Sequence, residues 1–297
     1  MNVVVLVKQV PDTTVGIKIA ADGTCLEKEG LAYMANPLDL VALEEAVRIR
    51  ERCGSGNMTV LSMGPPGAEK ILRKCIAQGA DRAILVSDAG SENSDGYVTA
   101  SVLSQVVKSL EYDLILCGAR AVDTNGGQVG TIIGEMIGID VICGVTKIEV
   151  SSREKKLTVQ KKVEHGNREV IVITLPALVT VELGLNEPRY PDLPSIIRAQ
   201  RAEIERINRV DLDIDAGSVS SKGAGSEAVR LSPPKPRPKK IFTPPSDLPP
   251  MERALLIASG GIIKKKSNIL EGTPREIAVS LVQFLKQHKL VASRRSL

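Results

Sequence analysis

The sequence contains no tryptophan, two phenylalanines and four tyrosines in 297 residues. A core with so few aromatic rings must be filled by Val, Ile and Leu, the residues of a parallel sheet buried on both faces. The same scarcity removes the stacking platforms that single-stranded nucleic acid uses. Histidine occurs twice, at His165 and His288, far apart and in different contexts. Such a pair supports neither a multi-histidine metal centre nor a histidine-based triad. The five cysteines, Cys25, Cys53, Cys75, Cys117 and Cys143, include no C-x-x-C pair. They read as reduced, buried thiols of a cytoplasmic protein. No apolar run approaches the roughly 18 residues of a membrane-spanning helix. The opening "MNVVVLVKQVPD" has no basic or long apolar leader region and reads as a strand rather than a signal peptide. Finally, neither a Walker pattern nor a G-x-G-x-x-G fingerprint is present.

What remains is ordinary for a globular chain: 43% hydrophobic and 25% charged residues. The net charge is +4, with much of the basic excess in the C-terminal third, so DNA binding is not suggested. Four short Val/Ile/Leu runs, Val3–Val7, Met58–Met63, Ala83–Ser87 and Leu114–Cys117, lack alternation, as strands buried on both faces do. Helix patterns separate them. "NPLDLVALEEAVRIRERCG" has Asn36 as cap, Pro37 in the first turn and Gly54 as stop. "PPGAEKILRKCIAQGA" is a second helix. "SDGYVTASVLSQVVKSLEYD" is a third, capped by Ser94 or Asp95, and "GGQVGTIIGEMIGI" opens a fourth. Strand alternating with helix predicts an α/β fold with a doubly wound, mostly parallel, Rossmann-like sheet.

From about Val145 the pattern alternates, which predicts antiparallel strands added to that sheet or forming a small one of their own. "SIIRAQRAEIERIN" reads as a short basic helix. The expected organisation is a nucleotide-binding α/β domain over 1–210, an extended Pro/Lys-rich arm over 211–250, and a helical segment over 251–297. In the last, "TPREIAVSLVQFLKQHKLV" is an amphipathic helix with Thr273 and Glu276 in capping-box positions. A lone helix beyond a long arm predicts a partner chain to pack on.

The loops at the carboxyl ends of the strands are where such sheets bind ligands. The first strand exits through Lys8 and Gln9. Asn36 starts a helix, and Gly64 follows the second long strand. Ala121–Asp123 and two glycines then lead into a helix starting near Gln128. Backbone N–H groups at a helix start, approached closely through glycines, make an anion site. A single Gly-Gly loop does not separate that reading from a surface turn, but four loops converging on one sheet end favour a ligand site. Glu44 and Glu45 read as solvated helix-face carboxylates, the lysines at 264–266 as a solvated run, and Ser62 has no base nearby to make it a nucleophile. No catalytic residue and no metal ligand is assigned.

"VQKKVEHGNREVIVITLPALVT" and "LNEPRYPDLPSIIRA" resemble the signature segments of electron transfer flavoprotein beta subunits. His165 departs from the signature at a turn. "VKQVPD", "NPLDLVALEEA", "VLSMGPP" and "GADRAILVSD" match in the same order, so the resemblance covers roughly 1–210. It implies a heterodimer with an alpha subunit that holds FAD, and an adenine nucleotide in this chain: AMP in simple carriers, a second FAD in electron-bifurcating, NADH-oxidising relatives. The implied nucleotide residues are Val7, Lys8, Gln9, Asn36, Ser62, Met63, Gly64, Ala121, Val122, Asp123, Asn125, Gly126, Gly127, Gln128, Val129, Gly130 and Thr131. The implied partners are an acyl-CoA dehydrogenase, as in fatty acid beta-oxidation, and a downstream quinone or iron-sulfur oxidoreductase. The implied docking residues are Arg189, Tyr190, Leu193, Pro194 and Ile197, with Leu193 as anchor. The phosphate loop "DTNGGQVGT" shares Gln128-Val129-Gly130 with the bifurcating form but follows neither form throughout. A stand-alone nucleotide-binding regulatory module is the remaining alternative.

Overall fold

A computed structural model describes residues 1–27, 29–87, 94–151, 153–209, Leu212, Ser226, 230–232, 243–258 and 272–288. The chain divides into two compact units, Met1–Pro233 and Pro234–Leu297. The lysines at 264–266 and most of the arm lie outside the described residues.

The first unit opens with β1 (Val3–Leu6) and a small antiparallel ribbon, β2 (Gln9–Pro11) and β3 (Tyr33–Ala35). Then α1 (Pro37–Cys53), β4 (Met58–Gly64), α2 (Glu69–Ala77), β5 (Arg82–Ser87), α3 (Gly96–Lys108), β6 (Leu114–Gly118) and α4 (Val129–Ile137) alternate. An antiparallel meander follows: β7 (Asp140–Ser151), β8 (Lys156–Lys162) and β9 (Arg168–Thr174). β10 (Ala177–Val181), α5 (Leu193–Arg201) and β11 (Glu205–Asn208) complete it. The second unit contains α6 (Pro250–Ala258) and α7 (Pro274–Gln287).

Nine of these strands form one sheet in the order β11-β5-β4-β1-β6-β10-β7-β8-β9, parallel from β11 to β7. The central strands are buried on both faces, as their unbroken Val/Ile/Leu runs require. Val3 and Val5 face the side covered by α1 and α2, while Val4 and Leu6 face the side covered by α3 and α4. Local signals place the helix ends. Pro37 occupies the first turn of α1, and Gly54 ends it in the left-handed conformation at φ 73°, its N–H donating to the Arg50 carbonyl. The Asp95 carboxylate accepts from the Val98 N–H at 2.9 Å, capping α3. Thr273 and Glu276 form the expected capping box of α7.

The fold departs from the sequence expectation in three places. Ala177–Val181 is not part of the antiparallel set: β10 inserts between β6 and β7, parallel to both. The helix ends at Arg201, and Glu205–Asn208 forms an edge strand on β5, stapled there by the Arg82–Glu205 ion pair. Cys25 and Cys143 are exposed, although Cys75 and Cys117 are buried as expected.

Gly118, the last residue of β6, lies where α1 presses on the sheet. A Cβ there would stand 2.5 Å from Asp39 Oδ1 and 2.7 Å from Leu38 Cβ. Because helix backbone stands behind those atoms, Gly118→Ala should cost about 1–3 kcal/mol of stability. The expected result is a lower urea midpoint at unchanged slope.

Candidate functional site

The sequence leaves β1 toward β4 by one crossover and returns to the other side of β1 at β6. The loops after β1 and β6 therefore part from each other at the carboxyl edge of the sheet, at the switch point where sheets of this kind have their ligand crevice.

Two side chains of the α1 N-terminus tie the loops together. The Asp39 carboxylate accepts from the Lys8 N–H through Oδ2 at 2.8 Å and from the Gly118 N–H through Oδ1 at 2.9 Å. Asn36 donates from Nδ2 to the Arg120 carbonyl at 3.0 Å and accepts the Val122 N–H on Oδ1 at 3.2 Å. Asn36 holds the cap position of α1, but its side chain spans loops instead of closing the helix end. Lys8 Nζ pairs with Asp123 at 2.7 Å over the top of the crevice.

The other expected residues fall around this point. Val7 is buried and donates its N–H to the Leu61 carbonyl at 2.9 Å, joining the β1 and β4 exits. Gln9 begins the ribbon opposite Ala35. Ser62, Met63 and Gly64 end β4, and the buried Ser62 hydroxyl has no hydrogen-bond partner. Ala121 accepts the N–H of Asn125, which adopts φ 53° and turns the chain toward Gly126. Gly127 has φ 64°, and a Cβ on it would meet the Ala119 carbonyl oxygen at 3.1 Å, so only glycine fits this turn without strain. Gln128 is the N-cap residue of α4, yet no side chain caps that helix. Val129, Gly130 and Thr131 thus start the helix with uncapped N–H groups. Gly130 is buried, because a Cβ would stand 2.7 Å from Cys117 Sγ and hold α4 off the sheet. An exposed, glycine-lined loop, a bare helix start and an unpartnered hydroxyl suit an anionic ligand.

Sequence reasoning missed Asp39, which is 5% exposed. A signal was there: Asp39 precedes the buried Ala42 and Leu43 by three and four residues, on the same helix face.

A second group lies around α5. Glu44 and Glu45 are not solvated: they are 4% and 5% exposed. Glu44 pairs with Arg48 at 2.7 Å and with Arg189 Nε at 2.8 Å; Glu45 pairs with Arg52 at 2.7 Å. Burial pushes the Glu44 carboxyl up, but the hydrogen bonds from Arg189 and Arg48 outweigh it and hold the group below its ordinary range. Arg189 also pairs with Glu51 at 2.6 Å, so it anchors its segment to α1. Arg73 Nη1 donates to the carbonyls of Ala199, Gln200 and Ala202, closing the far end of α5. Between these anchors, Tyr190 is 97% and Leu193 68% exposed, and Pro194 and Ile197 face outward beside them. Asp192 caps α5, accepting the Ser195 N–H at 2.7 Å.

Fold and crevice together define a Rossmann-like α/β protein. The Electron transfer flavoprotein domain model matches residues 25–212. An electron transfer flavoprotein subunit beta from Thermoanaerobacterium thermosaccharolyticum is 40% identical over 245 residues, 82% of this chain and 92% of the relative. Its counterpart from Bacillus subtilis is 33% identical over 98% of this chain and 100% of the relative. The caffeyl-CoA reductase-Etf complex subunit CarD of Acetobacterium woodii is 32% identical over 98% and 100%. The chain belongs to the electron transfer flavoprotein family, as a beta subunit with a role in electron transfer. No helix among the described residues is long and apolar enough to cross a membrane.

Burial pushes the Asp39 carboxyl from 3.8 up to about 6, against the opposing hydrogen bonds of Lys8, Asn36 and Gly118 and the charge of Lys8. The folded protein therefore keeps a proton that the unfolded chain has released between pH 4 and pH 6. The stability contributed by this group is fully present below pH 4 and lost as pH rises through 6. Asp39→Asn, which cannot ionise, should gain on the wild type by roughly 3 kcal/mol between pH 4 and pH 7. Urea denaturation across that range measures the gain; a constant difference would show that Asp39 titrates alike in both states.

Proposed function

We propose that this chain is an electron-carrier subunit that binds an adenine nucleotide, AMP or FAD, at the crevice between the β1 and β6 exits. It pairs with an alpha subunit and passes electrons from acyl-CoA dehydrogenase-type flavoenzymes through the alpha-subunit FAD to a quinone or iron-sulfur acceptor. The observation that carries this reading is the uncapped start of α4 beside Gly127, where a Cβ would close the loop against Ala119. A phosphate fits there because backbone N–H groups and the helix dipole favour an anion. The unpartnered Ser62 hydroxyl adds a polar group at the neighbouring strand exit. When bound, a flavin supplies the electron-accepting ring; the residues of this chain position and retain the nucleotide. Lys8 and Asp123 close over the crevice, and Asn36 and Asp39 keep its two sides in register.

The docking residues follow the same logic. An apolar tip of Tyr190, Leu193 and Ile197, held rigidly at both ends, suits a partner surface because little entropy is lost on binding.

Gln128-Val129-Gly130 at the start of α4 favours a second reading, an NADH-oxidising bifurcating subunit with FAD in this chain. Co-expression with the alpha subunit and extraction of bound nucleotide separates the two. One flavin plus AMP identifies the simple carrier, and two flavins the bifurcating form.

Gly127→Val should lose most of the bound nucleotide, since the residue must hold φ 64° against the Ala119 carbonyl. Unchanged nucleotide content would refute the phosphate loop. Leu193→Ala should slow electron transfer with a dehydrogenase about tenfold, as truncating an interface anchor does, with cofactor content intact. Unaffected turnover would refute the docking role.

A further inference from the structure

Asp39 is a buried carboxylate whose two oxygens are both taken by backbone N–H groups. Its position explains it. One carboxylate oxygen holds the first N–H beyond the buried Val7, at Lys8, and the other holds the last N–H of β6, at Gly118. Those two residues begin the two loops that part at β1. The fit is close on the β6 side, where a Cβ on Gly118 would overlap Oδ1. Asn36, three residues earlier, bonds the Lys8 carbonyl through its N–H at 2.9 Å and the 120–122 segment through its side chain. The α1 N-terminus is thus a cross-brace between the loops.

We propose that Asp39 is a positioning residue for the nucleotide: its ionised carboxylate, bridging Lys8 N and Gly118 N, fixes the separation of the two loops between which the adenine nucleotide lies. This rests on the nucleotide site proposed above. Only the ionised form offers full acceptor strength on both oxygens. Protonation converts one oxygen into a donor that faces an N–H group, so one side of the brace is released.

The titratable groups that face Asp39 are few. Lys8 approaches from the β1 exit with its ammonium on Asp123. Cys75 of α2 and Cys117 of β6 feel the Asp39 charge, but burial pushes both thiols far up, Cys75 to about 12. Neither thiol changes charge between pH 5 and pH 8, which leaves Asp39 as the group of this cluster that does. The fold is thus most stable with Asp39 protonated, whereas the brace is complete only with Asp39 ionised.

The test uses the co-expressed two-subunit complex, stripped of nucleotide, with AMP as the probe, the moiety AMP and FAD share. AMP affinity is measured for wild type and Asp39→Asn from pH 5 to pH 8. The phosphate of AMP titrates near pH 6, and taking the ratio of the two dissociation constants removes its contribution. The ratio should be close to one at pH 5 and rise to about tenfold by pH 8, the effect of losing one charge-assisted hydrogen bond. A ratio that stays flat, at any value, overturns the proposal. A second measurement needs no variant: amide exchange at Lys8 and Gly118 in the wild-type complex, corrected for intrinsic rates, should quicken as pH falls below 6. Equal protection at pH 5 and pH 8 would likewise overturn it. The two readings fail differently. If the wild type does not bind AMP, the nucleotide site falls and the positioning role with it. If AMP binds and is lost in Gly127→Val, but the Asp39→Asn ratio is flat, only the positioning role falls.

Discussion

Reversal of strand order at β1 is the constraint on which the rest of the molecule depends. A parallel sheet wound in one direction seals each loop against the next; at β1 the chain leaves to one side and returns on the other, so the β1 and β6 exits separate. Such a gap would weaken the sheet edge unless something bridged it. The bridge is the first turn of α1, where Asn36 and Asp39 bond three backbone N–H groups and two carbonyls of the flanking loops. The same gap that needs the bridge is where we propose the nucleotide lies, and the glycines at 118, 127 and 130 let helix, strand and loop approach closely around it.

A similar economy governs the other face of α1. Its N-terminus braces the crevice, while Glu44 and Glu51 further along hold Arg189 and with it the segment leading to Tyr190 and Leu193. A buried carboxylate such as Glu44 is tolerable only with partners, and losing one would leave a charge stranded. One helix therefore fixes both the proposed cofactor loops and the proposed docking tip.

Much of this was legible in the sequence, for local reasons. Unbroken Val/Ile/Leu runs announced β1, β4, β5 and β6, and Asp95, Gly54, Thr273 and Glu276 announced the helix ends. What the sequence hid depended on distant partners. Glu44 looks like a surface residue until Arg189, 145 positions away, is placed against it. "ALVTV" is itself a nearly unbroken apolar run, but it follows directly on the antiparallel meander in sequence, and only its insertion between β6 and β7 reveals a parallel strand with five buried positions. "ERIN" carries the composition of the helix before it and becomes a strand through the open edge of β5. The loop residues proposed for the nucleotide were chosen by position and resemblance; Asp39 was passed over, because its two bonding partners lie 31 and 79 residues away.

The most direct test of the account is residue-resolved amide exchange on the two-subunit complex with and without AMP. Nucleotide bound at the crevice predicts slowed exchange at 127–131, where the N–H groups lack capping partners, with a smaller change at Lys8 and Val122. Slowed exchange elsewhere, with 127–131 unchanged, would contradict it.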